Sequence, residues 1–240
     1  MRLLLFDIDG TLLTANGAGR TAVQSAVSSV TGQSVTTEGI SFSGRTDPAI
    51  FRDVLDANGL SAENDLLEAV MAAYAEEAET VLDPANVDRL GGTDLLLSTL
   101  ADHDEMHLGL VTGNVESVAY HKLRMAGLAH HFTVGAFGSD HSQRAKLPEL
   151  AVRRATASVG HSFSMNNTLV VGDTRHDIEC ARETGARSMA VATGRFSRSE
   201  LFSHAPDLLF DNLENYADVI DQIVEVLADD SVGSESRHDL

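Results

Sequence analysis

Three scarcities bound this 240-residue chain before any motif is considered. Cysteine occurs once, at Cys180, so no disulfide can close within the chain. That usage fits a reducing cytoplasm. Basic residues are few: 17 Lys and Arg stand against 36 Asp and Glu, a formal net charge of -19. Such an acidic balance argues against nucleic acid or an anionic membrane as a partner. Long apolar runs are missing too. No stretch approaches the ~18 apolar residues that a membrane span needs. The run after Arg2 is short and ends in two aspartates, unlike a signal peptide. The expectation is a cytoplasmic protein, monomer or homodimer, with no membrane partner. What the chain has in quantity is apolar side chains, 43% of residues, enough for a folded core. Its length allows one large domain, or one that carries a smaller insert.

The opening, MRLLLFDIDGTLLT, organises the rest. Leu3 to Phe6 is an apolar run without polar interruption, the pattern of a strand buried on both faces of a parallel sheet. It ends in Asp7-Ile8-Asp9-Gly10-Thr11. Alternate strand residues share a face, so Asp7 and Asp9 point the same way. Two adjacent carboxylates repel, and a hard divalent cation such as Mg2+ with its oxygen ligands is the natural offset. Gly10 permits a sharp turn.

Along the chain, residues 15–83 read as loop and helix only. Helices are expected over Ala18–Val30, over Pro48–Asn58 with Asp47 as N-cap, and over Glu63–Leu82. Strands and helices alternate afterwards. Strands are expected at His107–Val111, Phe132–Phe137, Thr168–Val171, Ser188–Ala192 and Asp207–Phe210. Helices are expected over Asp94–Leu100, Val115–Ala126, Leu147–Val159, Asp177–Thr184 and Leu213–Leu227. The reading is an α/β protein, a doubly wound, Rossmann-like parallel sheet built from residues 1–14 and 84–228. An all-helical insert occupies 15–83, and a polar stretch, 229–240, reads as a flexible tail.

Open parallel sheets bind ligands beyond the carboxyl ends of their strands. Three apolar strands here end in small, polar or acidic groups: Asp7 and Asp9, then Thr112-Gly113-Asn114, then Gly172-Asp173 with Asp177. These endings resemble the first, second and fourth motifs of the haloacid dehalogenase superfamily, most of whose members are Mg2+-dependent phosphatases. The resemblance covers the core from end to end and includes the position of the helical insert, which it identifies as a cap. By that resemblance Asp7 is the nucleophile, and Asp9 is the general acid and then the base. Thr112, Gly113 and Asn114 hold the phosphoryl group. Mg2+ is held by Asp7, Asp173 and the backbone carbonyl of Asp9, with Asp177 in support or as an outer ligand. The substrate implied is a small phosphorylated metabolite of the phosphoglycolate kind. The net charge of -19 then requires a metal and a few placed cations to reverse the field locally.

The third motif departs from the family pattern of a Lys-Pro dipeptide. The stretch His141-Ser142-Gln143-Arg144-Ala145-Lys146-Leu147-Pro148 offers both Arg144 and Lys146, with a slight preference for Arg144. In the insert, Gly44-Arg45-Thr46-Asp47 resembles the substrate-facing loop of phosphoglycolate-phosphatase-like members, where Arg45 would bind a second anionic group. Arg20 is a weaker candidate, and Cys180 reads as core packing. A sugar phosphomutase would keep every core residue and is the alternative. A haloacid dehalogenase needs neither a metal nor an acid at Asp9. A non-enzymatic binding protein would have no need of four placed acidic residues.

Overall fold

The computed structural model describes residues 1–228. The expected tail at 229–240 lies outside them. Strand β1 (Arg2–Phe6) sits at the middle of a six-stranded sheet whose neighbouring strands are all parallel. On one side of it run β4 (Met106–Val111) and β5 (Gly135–Ala136). On the other run β6 (Thr168–Gly172), β7 (Arg187–Val191) and β8 (Leu208–Phe210), giving the order β5-β4-β1-β6-β7-β8. The chain therefore moves outward through β4 and β5, then crosses back past β1. Such a reversal of strand order opens a crevice at the carboxyl ends of the central strands.

The apolar run explains why β1 is central. Leu4 and Phe6 join the cluster on one face, and Leu3 and Leu5 the cluster on the other. All four are fully buried, each contributing on the order of 2 kcal/mol of transfer free energy. The larger cluster takes in helices α4 (Thr93–Ala101), α5 (Glu116–Met125) and α9 (Tyr216–Ala228). The smaller is covered by α6 (Leu147–Val159) and α7 (Arg175–Thr184). The doubly wound α/β class read from the sequence is the observed one.

Between β1 and β4 lie α1 (Ala18–Thr31), α2 (Asp47–Ala57) and α3 (Asn64–Val81). Their apolar faces join the larger cluster, and Phe51 meets Tyr74 edge-on at 5.2 Å between α2 and α3. A short antiparallel pair stands at the two ends of this segment: β2 (Leu13–Thr14) against β3 (Asp88–Arg89).

Several details differ from the sequence reading. The pair β2–β3 and the short helix α8 (Arg198–Ser203) carry no periodicity long enough to read. The strand expected at Phe132–Phe137 shrinks to Gly135–Ala136, because it is a sheet edge paired to β4 alone. The last helix begins at Tyr216 rather than Leu213. Thr46, not Asp47, holds the N-cap position of α2, with no side-chain cap hydrogen bond; Asp47 is the first residue of the helix and turns its side chain elsewhere. Among the described residues no helix is long and apolar enough to cross a membrane.

Candidate active site

The carboxyl ends of β1, β4 and β6 bring the expected residues together. Asp7 continues the ladder beyond β1, its N–H donating to Val171 O at 2.9 Å. Asp173 follows β6 directly, and Asp177 lies in the first turn of α7. Carboxylate oxygens of Asp7, Asp173 and Asp177 lie within 4.8 Å of one another, and all three side chains are buried. Gly10, at φ +86°, makes the turn that leaves room for Asp173. A Cβ on Gly10 would stand 2.5 Å from Asp173 Oδ2, and one on Gly194 only 1.6 Å from it.

The electrostatics of this triad are unbalanced. Arg144 is the cation in contact with it, through Asp177 and, at 3.2 Å, Asp7 Oδ1. Burial raises the Asp7 carboxyl to about 6. Arg144 pulls it back, while Asp177 and Asp9 push it further up. Burial, then Asp177 and Asp7, lift Asp173 well above the usual carboxylate range. Burial works against the charge of Arg144, but Asp177 and Asp7 more than reverse this and hold it protonated. Three buried carboxylates against one guanidinium make an all-oxygen donor set that fits a hard divalent cation such as Mg2+. Asp177 is already committed on both oxygens. Oδ2 accepts from the Thr174 N–H at 3.0 Å and its hydroxyl at 2.7 Å, a capping box for α7, while Oδ1 takes Arg144.

Of the two cations offered for the third motif, the structure brings Arg144 to Asp7. Lys146 is exposed at the start of α6 and does not line the cavity. The Asp9 carboxylate adds no oxygen to the acidic triad; the metal role implied for Asp9 is one of its backbone carbonyl. The carboxylate turns instead to Asn114 Nδ2 at 2.7 Å and Lys122 Nζ at 2.7 and 2.8 Å. Thr112 is fully buried and accepts from the Asn114 N–H and Nδ2. Lys122 was not foreseen. Its signal was present, since it follows Val118 by four residues and so falls on the apolar face of α5.

A cavity of about 260 Å³ opens above these groups, lined by Asp7, Asp9, Thr112 to Asn114, Lys122 and Arg144 below. Arg20, Phe42 to Arg45, Asp47 and Tyr74 line it from the α1–α3 segment. The loop before α2 is fastened to the sheet. Asp47 N–H donates to Gly113 O at 2.7 Å, and the Val115 N–H donates to Asp47 Oδ2 at 2.7 Å. The Thr46 hydroxyl donates to Ser142 O at 2.7 Å. A Cβ on Gly113 would fall 2.0 Å from Arg45 O, so only glycine admits this approach. Burial raises the Asp47 carboxyl to about 7, with Lys122 and the Val115 N–H opposing and Asp9 adding to the rise. Arg45 lines the cavity but its Nη1 pairs with Asp53. Arg20 stacks 4.0 Å from the Phe42 ring centroid and donates to Thr37 O and Ile40 O. It braces the loop rather than presenting a free fork. Cys180 is buried, its thiol pushed by burial up to about 12, which suits packing and not nucleophilic chemistry.

Comparison with known proteins agrees with this geometry. Residues 4–191 match the family model of haloacid dehalogenase-like hydrolases. The chain is similar to phosphoglycolate phosphatase 1 of Pseudomonas aeruginosa, 27% identical with 99% of this chain and 87% of that protein covered. It is similar also to the pyrophosphatase PpaX of Bacillus pumilus, 26% identical over 90% of this chain and 95% of that one. Among solved structures, a predicted phosphoglycolate phosphatase from Haemophilus somnus superposes with a TM-score of 0.69 at 17% identity, covering 92% of this chain and 98% of the other. One assigned as a β-phosphoglucomutase, from Bacteroides vulgatus, gives 0.70 at 18% identity, covering 95% and 90%. At such identities these structures speak for the fold. The enzyme class expected from the sequence, a phosphatase of this superfamily, is borne out by the family match and the two relatives. With most of its length matched by one family model and its three acidic and polar strand ends converging, the chain belongs to the haloacid dehalogenase-like hydrolases.

Proposed function

We propose that this hydrolase is a Mg2+-dependent phosphatase that acts on a small phosphorylated metabolite through an aspartyl-phosphate on Asp7. The observation that carries the reading is the under-neutralised oxygen cluster of Asp7, Asp173 and Asp177, whose member Asp7 lines a small cavity. Asp7, Asp173 and the Asp9 carbonyl would hold the ion, with Asp177 fixing Arg144 and the start of α7. When bound, Mg2+ supplies the positive charge that offsets both the carboxylates and the phosphoryl oxygens.

An Asp7 oxygen attacks phosphorus while the bond from phosphorus to the leaving oxygen breaks, and Asp9 donates a proton to that oxygen. Asp9, now a carboxylate, takes a proton from water as the water oxygen bonds to phosphorus and Asp7 is released. Arg144 orients Asp7 and faces the phosphoryl charge. The Thr112 hydroxyl and the backbone N–H groups of the Gly113 turn hold phosphoryl oxygens. The α1–α3 segment acts as the cap, excluding water. A cavity of about 260 Å³ suits a compact substrate, and likeness to a phosphoglycolate phosphatase and a pyrophosphatase supports testing 2-phosphoglycolate and pyrophosphate first. Arg45 is offered as the contact for the substrate's second anionic group, shared with Asp53.

The test is phosphate release from 2-phosphoglycolate, pyrophosphate, p-nitrophenyl phosphate and β-glucose 1-phosphate, with Mg2+ and with EDTA. Release that depends on Mg2+ is expected. Undiminished release in EDTA, or none from any compound, overturns the reading. Isomerisation of the glucose phosphate without net phosphate release would assign the phosphomutase alternative.

A further inference from the structure

Lys122 is the one buried lysine among the described residues, and neither the four sequence motifs nor the acidic triad accounts for it. It lies on α5 beside Val118, Ala119 and Leu123, all buried, where a leucine or methionine would pack without penalty. An ammonium taken out of water is costly unless it is fully paired. Here it is: Nζ lies 2.8 Å from Asp9 Oδ1, 2.7 Å from Asp9 Oδ2 and 2.7 Å from Asn114 Oδ1. Its three protons have three acceptors. The amide of Asn114 closes the ring, donating to the same Asp9 Oδ2 at 2.7 Å and to Thr112 Oγ1 at 2.8 Å. Asp9 is thus gripped on both oxygens, while its side chain, 41% exposed, lines the cavity. Arg144 approaches the site from the other side, on Asp7 and Asp177.

We infer that Lys122, braced by Asn114, is the positioning residue for the acid/base group Asp9. It fixes the carboxyl on the cavity side, apart from the acidic triad. The inference rests on the phosphatase reading above and adds a residue to it. Two cations divide the labour: Arg144 serves the nucleophile, Lys122 the proton carrier.

The experiment compares kcat/KM for an alkyl phosphate, 2-phosphoglycolate, with that for p-nitrophenyl phosphate. This parameter reports the steps up to the phosphoenzyme, and the nitrophenolate leaves with little help from an acid. Lys122→Met is expected to lower kcat/KM at least ~100-fold for the alkyl ester, the scale of general acid catalysis. For the aryl ester the fall is expected to stay under about tenfold. In an Asp9→Asn background the same substitution is expected to change neither value further, since it acts through Asp9. Lys122→Arg is expected to restore part of the alkyl activity. Equal losses on both esters, or the same loss in the Asp9→Asn background, would overturn the inference. So would unfolding of both Lys122→Met and the closer isostere Lys122→Gln, by circular dichroism, because the lysine would then serve the fold. A wild-type enzyme that cleaves neither ester refutes the phosphatase reading instead.

Discussion

Two charged clusters meet at the ends of the central strands, and they are built on opposite principles. The cluster of Asp7, Asp173 and Asp177 sets three buried carboxylates against Arg144, and burial drives Asp7 and Asp173 upward in pKa. The cluster of Asp9, Asn114 and Lys122 matches donors to acceptors and closes on itself. One is left short of positive charge, so it favours a divalent ion. The other is complete, so it holds a side chain still. On the proposed function, the first cluster would bind charge and the second would place a proton.

Substitutions can sharpen or break that contrast. The largest effect is expected from Asp7→Asn, which removes the proposed nucleophile. Turnover should fall by at least ~10⁴-fold in a steady-state phosphate assay while the circular dichroism spectrum stays that of the wild type. Retained turnover would dissolve the division of roles. Next is Gly194→Ala. Its Cβ is aimed 1.6 Å from Asp173 Oδ2, so the carboxylate must move and the oxygen set opens. The thermal stabilisation that Mg2+ gives the wild type should largely vanish in this variant, read as the difference in Tm with and without the ion. An unchanged difference would mean that Asp173 is no ligand. The smallest effect is expected from Asp47→Asn, beside the completed cluster. Burial holds the Asp47 carboxyl at about 7 in the folded protein against an ordinary 3.8. The folded state therefore keeps a proton that the unfolded chain gives up, and stability drains away as pH rises from about 4 to about 7. Asparagine cannot ionise and still accepts from Val115. It should leave stability unchanged at pH 4 and raise it by up to ~4 kcal/mol at pH 8, by urea unfolding. Equal stability at pH 8 would mean that Asp47 is no proton holder.

The contrast also tells which parts were legible in the sequence. The acidic triad could be read because each member directly follows an apolar strand or opens a helix, so chain order alone predicts convergence. The two-sided burial of Leu3 to Phe6 followed from composition without any tertiary information. The sequence favoured Arg144 over Lys146 only slightly, since two residues of spacing before a helix decide which one turns inward. Lys122 and Asp47 were missed for a different reason. A lysine on a helix usually reaches solvent, and an aspartate beside Pro48 usually caps its own helix. Asp47 instead accepts from Val115 at the entry to α5. Both act across long sequence separations, on partners that no local pattern names. The strand at Gly135–Ala136 was overread because an edge pairs on one side only.

The ladder of Leu13 with Arg89 and Thr14 with Asp88 has a further consequence. The polypeptide departs from the sheet and comes home through one doorway, its two jambs hydrogen-bonded to each other. A different set of helices could be hung in that doorway without re-threading a single strand of the sheet behind it. The cavity can thus be reshaped by exchanging the door while the wall of strand ends stands.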